Sequence, residues 1–454
     1  MNKLIKMFKK KSLLVILSIV ILIVFVSLWN IVSGGYDKQN KIILVLKKII
    51  PTSISQKIRD TIFIIPELKK RNSYLELVLR KNQQKYKGEI YSETTVISKI
   101  NKQNYNLKEF FLPFPRLDLR LRWDSNENSL RRNYLEIIGD KILAISGEGE
   151  TIYFNKSNIN NKILNQKIIK NNLSNIIESN KFTPMGIRGL FYDGKQIFIS
   201  FFYQSQKGYS MDIYAADMNF EKLNFNLFFK SDEYWDNYTV RTGGRITQFT
   251  DSKILLTFGD CTKMRKAQDL NSLKGKIISI DKLTKKFEVL SLGHRNQQGL
   301  VYDAENNIII NSEHGPNGGD EININRLNEK MVKNFGWPIS SYGKNYDGTD
   351  PYKKSHKEFG YIEPLKNFSP SIGISEIQLK KNIDSNNNNY IFASSLRAGS
   401  IYKLKTNQSM TEVLDMDRIY FPEHRIRDMK YDEDTKSLFL IFETIPSIGV
   451  LKIS

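Results

Sequence analysis

The residues best suited to chemistry are concentrated in one loop, EHGPNGGDE, which begins at Glu313. Glu313, Asp320 and Glu321 carry carboxylates, and the carbonyls of Gly315 and Pro316 have little side-chain cover. Calcium takes several oxygen ligands, backbone carbonyls included, so this loop has the composition of a calcium site. Gly and Pro are also typical of an ordinary acidic surface turn, and the residue types alone leave both interpretations open.

Two strands are predicted to hold this loop in place. Gly299–Asp303 and Ile308–Ser312 are apolar runs separated by a polar turn, which is the pattern of a hairpin. His294 lies just before the hairpin, His314 lies in the loop, and Trp337 follows it along the chain. We expect both histidines to have structural roles.

Four motifs between residues 293 and 348, GHRNQQG, SEHGPNGGDE, FGWP and YGKNYDG, occur in this order. With them the chain resembles the soluble aldose (glucose/sorbosone) dehydrogenases that depend on pyrroloquinoline quinone (PQQ), over about Asn133–Ser454. The resemblance implies an all-β fold, a six-bladed β-propeller. It also implies an oxidoreductase that oxidises a hydroxyl of a sugar or other polar small molecule. PQQ and calcium would be its cofactors, with calcium bound by the carbonyls of Gly315 and Pro316.

The resemblance assigns a cofactor cradle residue by residue. Arg295 and Asn296 match the cofactor-binding pair of the family's HRN motif, and Arg425 and Arg427 match its RxR motif. Arg397 stands where the family has a Lys or another residue. The resemblance therefore implies that these five residues bind the cofactor.

The family's catalytic base is missing from this chain. In the family a His two positions before Gly-Gly-Arg is the general base, and here that position is Arg241. A base needs a pKa near the working pH, and an Arg side chain stays protonated. A Gln that lies beside the family's active site is replaced by Met185. His424 or Asp236 could supply the base instead.

A repeated unit supports the propeller independently of the resemblance. From Asn133 onward, an apolar strand, a short polar turn and a second apolar strand recur six times. The second strands begin at Ile142, Ile197, Ile254, Ile308, Tyr390 and Leu438. A spacing near fifty residues fits four-stranded propeller blades. The longest interval contains GWPISSYGKNYDG, which predicts an insertion there.

Arginines are expected to gather at one end of the channel that the innermost strands would line. Four of these strands, GIRGLFYD, GGRITQFTD, NQQGLVYD and RIRDMKYD, carry arginines at or just before their start. The residues are Arg188, Arg241, Arg245, Arg295, Arg425 and Arg427, with Arg397 on a neighbouring loop. Guanidinium groups bind carboxylates bidentately, so the cluster predicts an anionic small ligand. Alternatively, each Arg is paired separately with an acidic residue at the surface.

Basic charge is concentrated at the start of the chain. Residues 1–111 contain 21 Lys and Arg against 7 Asp and Glu, out of a formal net charge of +20 for the whole chain. Such charge favours anionic lipid head groups. Nucleic acid is the other usual partner of basic proteins, but the sequence contains no nucleic-acid-binding motif, so we expect none. Cys261 is the only cysteine, which excludes an intrachain disulfide.

Residues 1–35 are predicted to be a cytoplasmic basic tail and a single transmembrane anchor. Leu13–Val32 is long and apolar enough to span a bilayer, and five lysines precede it. Residues 36–111 would be a helical membrane-proximal segment, and residues 112–454 the propeller, outside the cytoplasm in the periplasm. A cleaved signal peptide is the alternative, although the apolar run is long and no Ala-x-Ala site follows it.

Three kinds of function remain open from the sequence. The first is a membrane-anchored quinoprotein dehydrogenase with altered catalytic chemistry and an unknown electron acceptor. The second is a non-catalytic propeller that binds an anionic ligand or partner, which the replacement of the base by Arg241 favours. The third is an envelope protein whose propeller only packs, and the retained cradle argues against it.

We predict that the intact protein fractionates with membranes and resists carbonate extraction, because Leu13–Val32 would remain in the bilayer. Protease added from the non-cytoplasmic side should digest the propeller, as followed by immunoblotting. Release of a shortened soluble form during export would show instead that the segment is a cleaved signal peptide.

Overall fold

The computed structural model describes residues 90–97, 103–114, 126–328, 331–421 and 424–453. The predicted basic tail and anchor, residues 1–35, and most of the predicted helical segment lie outside these residues. Within the described part of the chain, no helix combines the length and the apolarity needed to cross a membrane.

Strands dominate the described residues. In chain order the first are β1 (Ile90–Ile97), β2 (Asn104–Phe111), β3 (Asn133–Ile138), β4 (Lys141–Ser146), β5 (Thr151–Asn155), β6 (Lys167–Asn171), β7 (Thr183–Tyr192), β8 (Gln196–Ser205), β9 (Gly208–Asp217), β10 (Lys222–Leu223), β11 (Asn226–Phe229), β12 (Gly243–Thr250) and β13 (Lys253–Phe258). The rest are β14 (Lys276–Asp281), β15 (Phe287–Leu292), β16 (Gln297–Asp303), β17 (Ile308–Glu313), β18 (Asp320–Arg326), β19 (Lys333–Asn334), β20 (Lys366–Phe368), β21 (Ile374–Lys380), β22 (Asn389–Ser395), β23 (Ser400–Thr406), β24 (Val413–Tyr420), β25 (Ile426–Asp432), β26 (Ser437–Phe442) and β27 (Ser447–Lys452). The helices are α1 (Asn126–Ser129) and α2 (Leu173–Asn180), with short 3-10 helices at Lys156–Asn160, Met264–Gln268 and His356–Phe359.

These strands form six sheets, which we call blades 1 to 6. Blade 1 is β3–β6 with β10, blade 2 is β7–β9 with β11, and blade 3 is β12–β15 with β19. Blade 4 is β16–β18 with β20, blade 5 is β21–β24, and blade 6 is β25–β27 with β2 and β1. The innermost strands β3, β7, β12, β16, β21 and β25 pack against one another in a circle that β25 and β3 close. The fold is therefore a six-bladed β-propeller, as predicted, and the six predicted second strands are β4, β8, β13, β17, β22 and β26.

The last blade is completed by a strand from the beginning of the described chain. β2 pairs antiparallel with β27, with Leu107 opposite Leu451 and Phe111 opposite Ser447. The prediction of a helical segment over residues 36–111 is wrong for Ile90–Ile97 and Asn104–Phe111, which are the strands β1 and β2. Buried and exposed side chains alternate at the start of β2, which is the period of a strand. Pairing the first strand of the propeller with the last holds the circle closed.

The core is divided among the interfaces between neighbouring blades. The cluster between blades 2 and 3 is rich in large aromatic side chains, including Phe202, Trp235 and Phe258. Between blades 3 and 4 the fully buried apolar side chains are few, and buried polar residues such as Gln297 and Asn311 lie there instead. Asn311 lies on β17, the strand that leads into the loop beginning at Glu313.

Small residues let the innermost strands approach one another closely. A Cβ at Gly189 would lie 2.1 Å from the carbonyl oxygen of Gly244 in the next blade, so only glycine fits. The hydroxyl of Ser200 donates a hydrogen bond of 2.6 Å to the same carbonyl. The glycines in the motifs GIRGLFYD and NQQGLVYD therefore serve blade packing, since Gly299 likewise leaves no room for a Cβ beside Ile377.

Ion pairs join three pairs of blades at the end of the channel where the innermost strands finish. The aspartates that end the repeated Tyr-Asp motif each bind a lysine of the next blade. The pairs are Asp193 with Lys282 (2.6 Å), Asp303 with Lys381 (2.9 Å), and Asp432 with Lys156. All three aspartates are largely buried, so these ion pairs are expected to stabilise the blade interfaces more than ordinary surface pairs do.

We predict that Asp432→Asn lowers the free energy of unfolding at pH 7 by about 1–3 kcal/mol, the range for a lost charged hydrogen bond. Burial raises the pKa of Asp432, but hydrogen bonds from Lys156 and Thr435 outweigh it and hold the pKa below its ordinary 3.8. Because the folded pKa is the lower one, the stabilisation is present above pH 3.8 and is lost as the pH falls through the folded pKa. The variant should therefore differ from wild type at pH 7 and converge with it in strong acid.

Urea unfolding across this pH range measures the effect. Asp434→Asn is the matched control, because Asp434 contacts the same lysine but its side chain is 82% exposed. Equal losses of stability in the two variants would contradict the proposed role of the buried ion pair.

Candidate functional site

The propeller brings the predicted site residues to one end of the channel, which we call the mouth. In each blade the start of the innermost strand pairs with the end of the second strand, as Gly243 pairs with Phe258 and Gln297 with Glu313. Residues just before innermost strands and just after second strands therefore share one end. Bulges near the starts of β7, β12, β16, β21 and β25 shift the register there. Such bulges re-aim side chains next to binding sites.

One hydrogen-bonded chain joins two of the predicted motifs across the mouth. Glu443 accepts a bond of 3.3 Å from Nε of Arg425 and a second bond from Nε of Arg427. Nη1 of Arg427 donates to Oε1 of Gln298 (3.0 Å), whose amide donates to Oδ1 of Asn296 (3.2 Å). The RxR motif of blade 6 is thereby connected to the HRN motif before blade 4.

Glu443 is the anion that holds the two arginines of this chain together. Burial raises its pKa, but Arg427 and Arg425 outweigh burial and lower the pKa to about 2. Burial lowers the pKa of Arg425 to about 10, with Glu443 acting in the opposite direction. One buried carboxylate therefore forms ion pairs with two guanidinium groups, so these three side chains together carry a net positive charge.

A second cluster surrounds Asp260, a residue that the sequence analysis did not identify. Its Oδ1 lies 3.3 Å from Nε of Arg241, and its Oδ2 accepts a bond of 2.8 Å from Nε1 of Trp337. The guanidinium of Arg295 lies over the Trp337 ring, 5.3 Å from its centre. Asp260 follows Gly259 at the end of β13, so its place at the end of a second strand was the signal that could have revealed it.

Burial dominates the electrostatics of this second cluster. It raises the pKa of Asp260, against the opposing effects of Arg241 and Arg295. Burial also lowers the pKa of Arg241, which Asp260 opposes and the like charge of Arg295 reinforces. Again one carboxylate faces two guanidinium groups.

Several buried polar atoms at the mouth lack a hydrogen-bond partner among the described residues. They are Nε of Arg295, Oγ1 of Thr242, Nε2 of His314, Nε of Arg188 and both side-chain atoms of Asn133. Buried polar groups normally find a partner, so the unpaired Nε of Arg295 and Oγ1 of Thr242 are consistent with a polar ligand at the mouth. Nη1 of Arg295 does donate to the His314 carbonyl, at 3.0 Å.

The carboxylates of the predicted calcium loop are engaged by the protein itself. Glu313 accepts a bond of 2.8 Å from Nδ1 of His294, and Asp320 accepts bonds from the backbone of Gly315 (3.2 Å) and Gly373 (2.7 Å). Glu321 is buried, and burial raises its pKa well above the ordinary value. These side chains therefore shape the loop, and the described residues contain no group of three or more His, Cys, Asp or Glu placed to hold a metal.

The carbonyls of the same loop remain the possible calcium ligands. The Pro316 carbonyl accepts a bond of 3.1 Å from the Ser371 hydroxyl. Among the described residues, no donor bonds to the carbonyl of Gly315. The Pro316 carbonyl also accepts a bond of 3.3 Å from the Gly319 N–H, so a calcium ion at this position would use Gly315 first.

Arg397 differs from the other cradle residues in being exposed. Its backbone N–H donates to the Ile372 carbonyl (3.1 Å), beside the glycine that Asp320 holds. Its guanidinium makes no hydrogen bond or ion pair within the described residues. Arg397 therefore lies on the rim of the mouth with a side chain that is free to reach a ligand.

Two of the predicted mouth arginines instead have internal partners. Arg188 donates to the hydroxyl of Ser129 (2.6 Å) and to the Met185 carbonyl (2.7 Å), and burial lowers its pKa to about 9. Arg245 lies deeper in the channel and pairs with Asp428 at 2.7 Å. Both are therefore structural residues, and Met185 is buried in β7.

The alternative bases are also held by neighbouring residues. Nε2 of His424 lies 3.2 Å from Oε1 of Glu109, and its ring stacks on Phe442 with centres 4.2 Å apart. Asp236 is exposed and binds Lys263 at 2.8 Å, a hydrogen bond that lowers its pKa. Asp236 is therefore occupied by an ion pair, and His424 is held between a carboxylate and an aromatic ring.

The Glucose / Sorbosone dehydrogenase family model matches residues 185–445. Over 147 residues, 29% of this chain and 38% of the other protein, the chain is 31% identical to aldose sugar dehydrogenase YliI of Escherichia coli. The chain spans about half or less of the length of the curated relatives it matches.

Solved structures share the fold at lower identity. The soluble aldose sugar dehydrogenase of E. coli in its apo-form is 18% identical with a TM-score of 0.57, covering 76% of this chain and 99% of that one. The PQQ-bound aldose sugar dehydrogenase of Streptomyces coelicolor is 17% identical with a TM-score of 0.52, covering 77% and 98%.

Proposed function

Because the chain belongs to the glucose/sorbosone dehydrogenase family, we propose that it is a membrane-anchored quinoprotein oxidoreductase that oxidises a sugar hydroxyl at the mouth. One observation carries this proposal: the chain of hydrogen bonds that joins Arg425 and Arg427 to Asn296. Residues far apart in sequence meet there as one basic cluster, in the arrangement that a shared ligand needs.

The residues at the mouth fit PQQ, which carries three carboxylates. Arg295, Arg397, Arg425, Arg427 and Asn296 would hold it. The unpaired Nε of Arg295 and the unengaged guanidinium of Arg397 offer donors that no protein group uses. When bound, PQQ would accept a hydride from the substrate carbon, and this hydride carries the two electrons of the oxidation. The described residues support calcium less strongly, since only the loop carbonyls are available to it.

This chain differs from its family in the residue that stands at the position of the proton acceptor. Arg241 stays protonated and cannot take a proton from a hydroxyl. Nε2 of His314 lacks a hydrogen-bond partner among the described residues, and burial lowers the pKa of His314 to about 4, with Asp320 opposing and Arg427 and Arg295 adding to the effect. A group with so low a pKa is a weak base at neutral pH. We therefore expect catalysis to be slow.

A second function, a non-catalytic propeller that binds an anionic ligand or partner, is favoured by one observation. Arg241 stands at the family's base position and is held there by the buried Asp260. Its guanidinium adds a fixed positive charge at that position and is not itself a base. The basic residues and the Gly315–Pro316 loop would serve binding in either case.

The proposed location is the non-cytoplasmic face of a membrane, in the periplasm. The apolar segment Leu13–Val32 and the lysines before it support this proposal. A sugar or other polar small molecule would reach the mouth from that compartment. A separate electron acceptor, whose identity is unknown, would reoxidise the cofactor.

We predict that the apo protein binds PQQ in the presence of calcium and that Arg425→Ala weakens binding by about 1–3 kcal/mol, the range for a lost charged hydrogen bond. Titration calorimetry measures both values. Arg326→Ala is the matched control, because Arg326 ends β18 at the opposite end of the channel, where it binds the Ser409 carbonyl. An absence of heat with wild-type protein would refute the cofactor assignment.

We predict that the cofactor-loaded wild type reduces an artificial dye slowly with common aldoses and that Arg241→His raises the rate. General-base catalysis contributes about 10²–10⁴-fold, and the introduced His would lie beside Asp260, which could orient it. Arg241→Gln is the control, because it removes the charge without adding a base. Fast wild-type turnover would contradict this view, and pH–rate profiles of His424→Ala and Asp236→Asn would then show whether either residue is the base.

A further inference from the structure

Among the described residues, the guanidinium of Arg241 contacts an acidic side chain only through Nε. Nε lies 3.3 Å from Asp260, whose other oxygen accepts the Trp337 indole N–H and whose Oδ1 also accepts the backbone N–H of Thr262 (2.9 Å). The two terminal nitrogens of Arg241 have no hydrogen bond or ion pair in the part of the chain that the structure describes. Arg241 lies just before β12, at the mouth end of that strand, and its side chain is 18% exposed.

The surroundings of Arg241 contain more positive than negative charge. Arg295 is close enough to lower the pKa of Arg241, and Asp260 is the carboxylate that the two arginines share. Two guanidinium groups held together with one carboxylate favour the binding of a further anion, because an anion relieves their repulsion. A planar guanidinium whose two terminal nitrogens are free can donate two parallel hydrogen bonds to one carboxylate.

We infer that the substrate is a sugar acid, a uronate or an aldonate, whose carboxylate binds the free edge of Arg241. This inference rests on the proposed function, because the position of Arg241 is the one at which the family's base faces the substrate hydroxyl. The arginines assigned to the cofactor are Arg295, Arg397, Arg425 and Arg427. Arg241 is additional to them, so its charge is available to the substrate.

A carboxylate of PQQ is the other anion that could bind the terminal nitrogens of Arg241. This alternative predicts a different effect of removing the Arg241 charge. If Arg241 served the cofactor, removing its charge would weaken PQQ binding as much as Arg425→Ala does. If it serves the substrate, PQQ binding stays nearly unchanged and discrimination between charged and neutral sugars is lost.

The test uses the PQQ-loaded full-length protein and measures binding by titration calorimetry, so that it does not depend on turnover. The probes are D-galacturonate and D-galactose, which differ only in the carboxylate. Wild type should bind galacturonate about tenfold to hundredfold more tightly, the effect of charged hydrogen bonds to one carboxylate. Arg241→Gln should bind the two sugars equally, and Arg241→Lys, which keeps the charge without the fork, should lie between them.

Each outcome bears on the inference separately from the proposed function. Equal binding of both sugars by PQQ-loaded wild type would overturn the inference and leave the proposed function standing. Loss of PQQ affinity in Arg241→Gln to the extent seen in Arg425→Ala would overturn it in favour of the cofactor. Binding of acetate as tightly as galacturonate would reduce the site to a general anion site and overturn the sugar-acid assignment. If the wild-type protein binds no PQQ, both the proposed function and the sugar-acid inference are refuted.

If Arg241→Gln does not fold because Asp260 is left buried without its partner, the Arg241→Gln/Asp260→Asn double variant removes both charges. It should lose the preference for galacturonate in the same way. A retained preference in the double variant would also overturn the inference.

Discussion

The buried guanidinium of Arg245 is the interaction on which the mouth depends. Nη1 lies 2.7 Å from carboxylate oxygens of both Asp428 and Glu376, and Nη2 donates to the Arg427 carbonyl (3.0 Å). The second oxygen of Asp428 accepts the backbone N–H of Leu135 at 2.8 Å. Four innermost strands, those of blades 3, 5, 6 and 1, are thereby joined at the axis. A buried charge that loses its partner is strongly destabilising, so this arrangement also fixes the backbone that presents Arg427 to the mouth.

The propeller was predictable from the sequence because its determinants are local. Each second strand is a short apolar run after a polar turn, and the spacing of these runs repeats along the chain. β2 was not predictable in the same way, because Asn104–Phe111 is a strand through its pairing with β27, more than 300 residues later. The alternation at the start of β2 indicates a strand, but nothing local to it indicates that its partner is the last strand of the chain.

The cradle was predictable in its members but not in its connections. Arg425 and Arg427 were assigned to the mouth because they lie at the start of an innermost strand, and the structure places them there. Their connection through Gln298 to Asn296 depends on the side-chain geometry of two blades. Arg188 was assigned to the mouth by the same reasoning, but it binds Ser129, which precedes the repeats and carries no sequence signal.

Arg241 stands where the resemblance implies a His. This difference would change the role of the site more than its shape. Asp260 would orient either side chain, since both are donors and its own position is fixed by Trp337 and the end of β13. A neutral His in that place accepts a proton, whereas Arg241 offers two N–H groups and a permanent charge. Under the functions proposed above, the same scaffold would serve proton removal with one residue and carboxylate binding with the other. Family membership and fold leave the chemistry open, and the proposals differ in the role they give to Arg241 and its carboxylate partner.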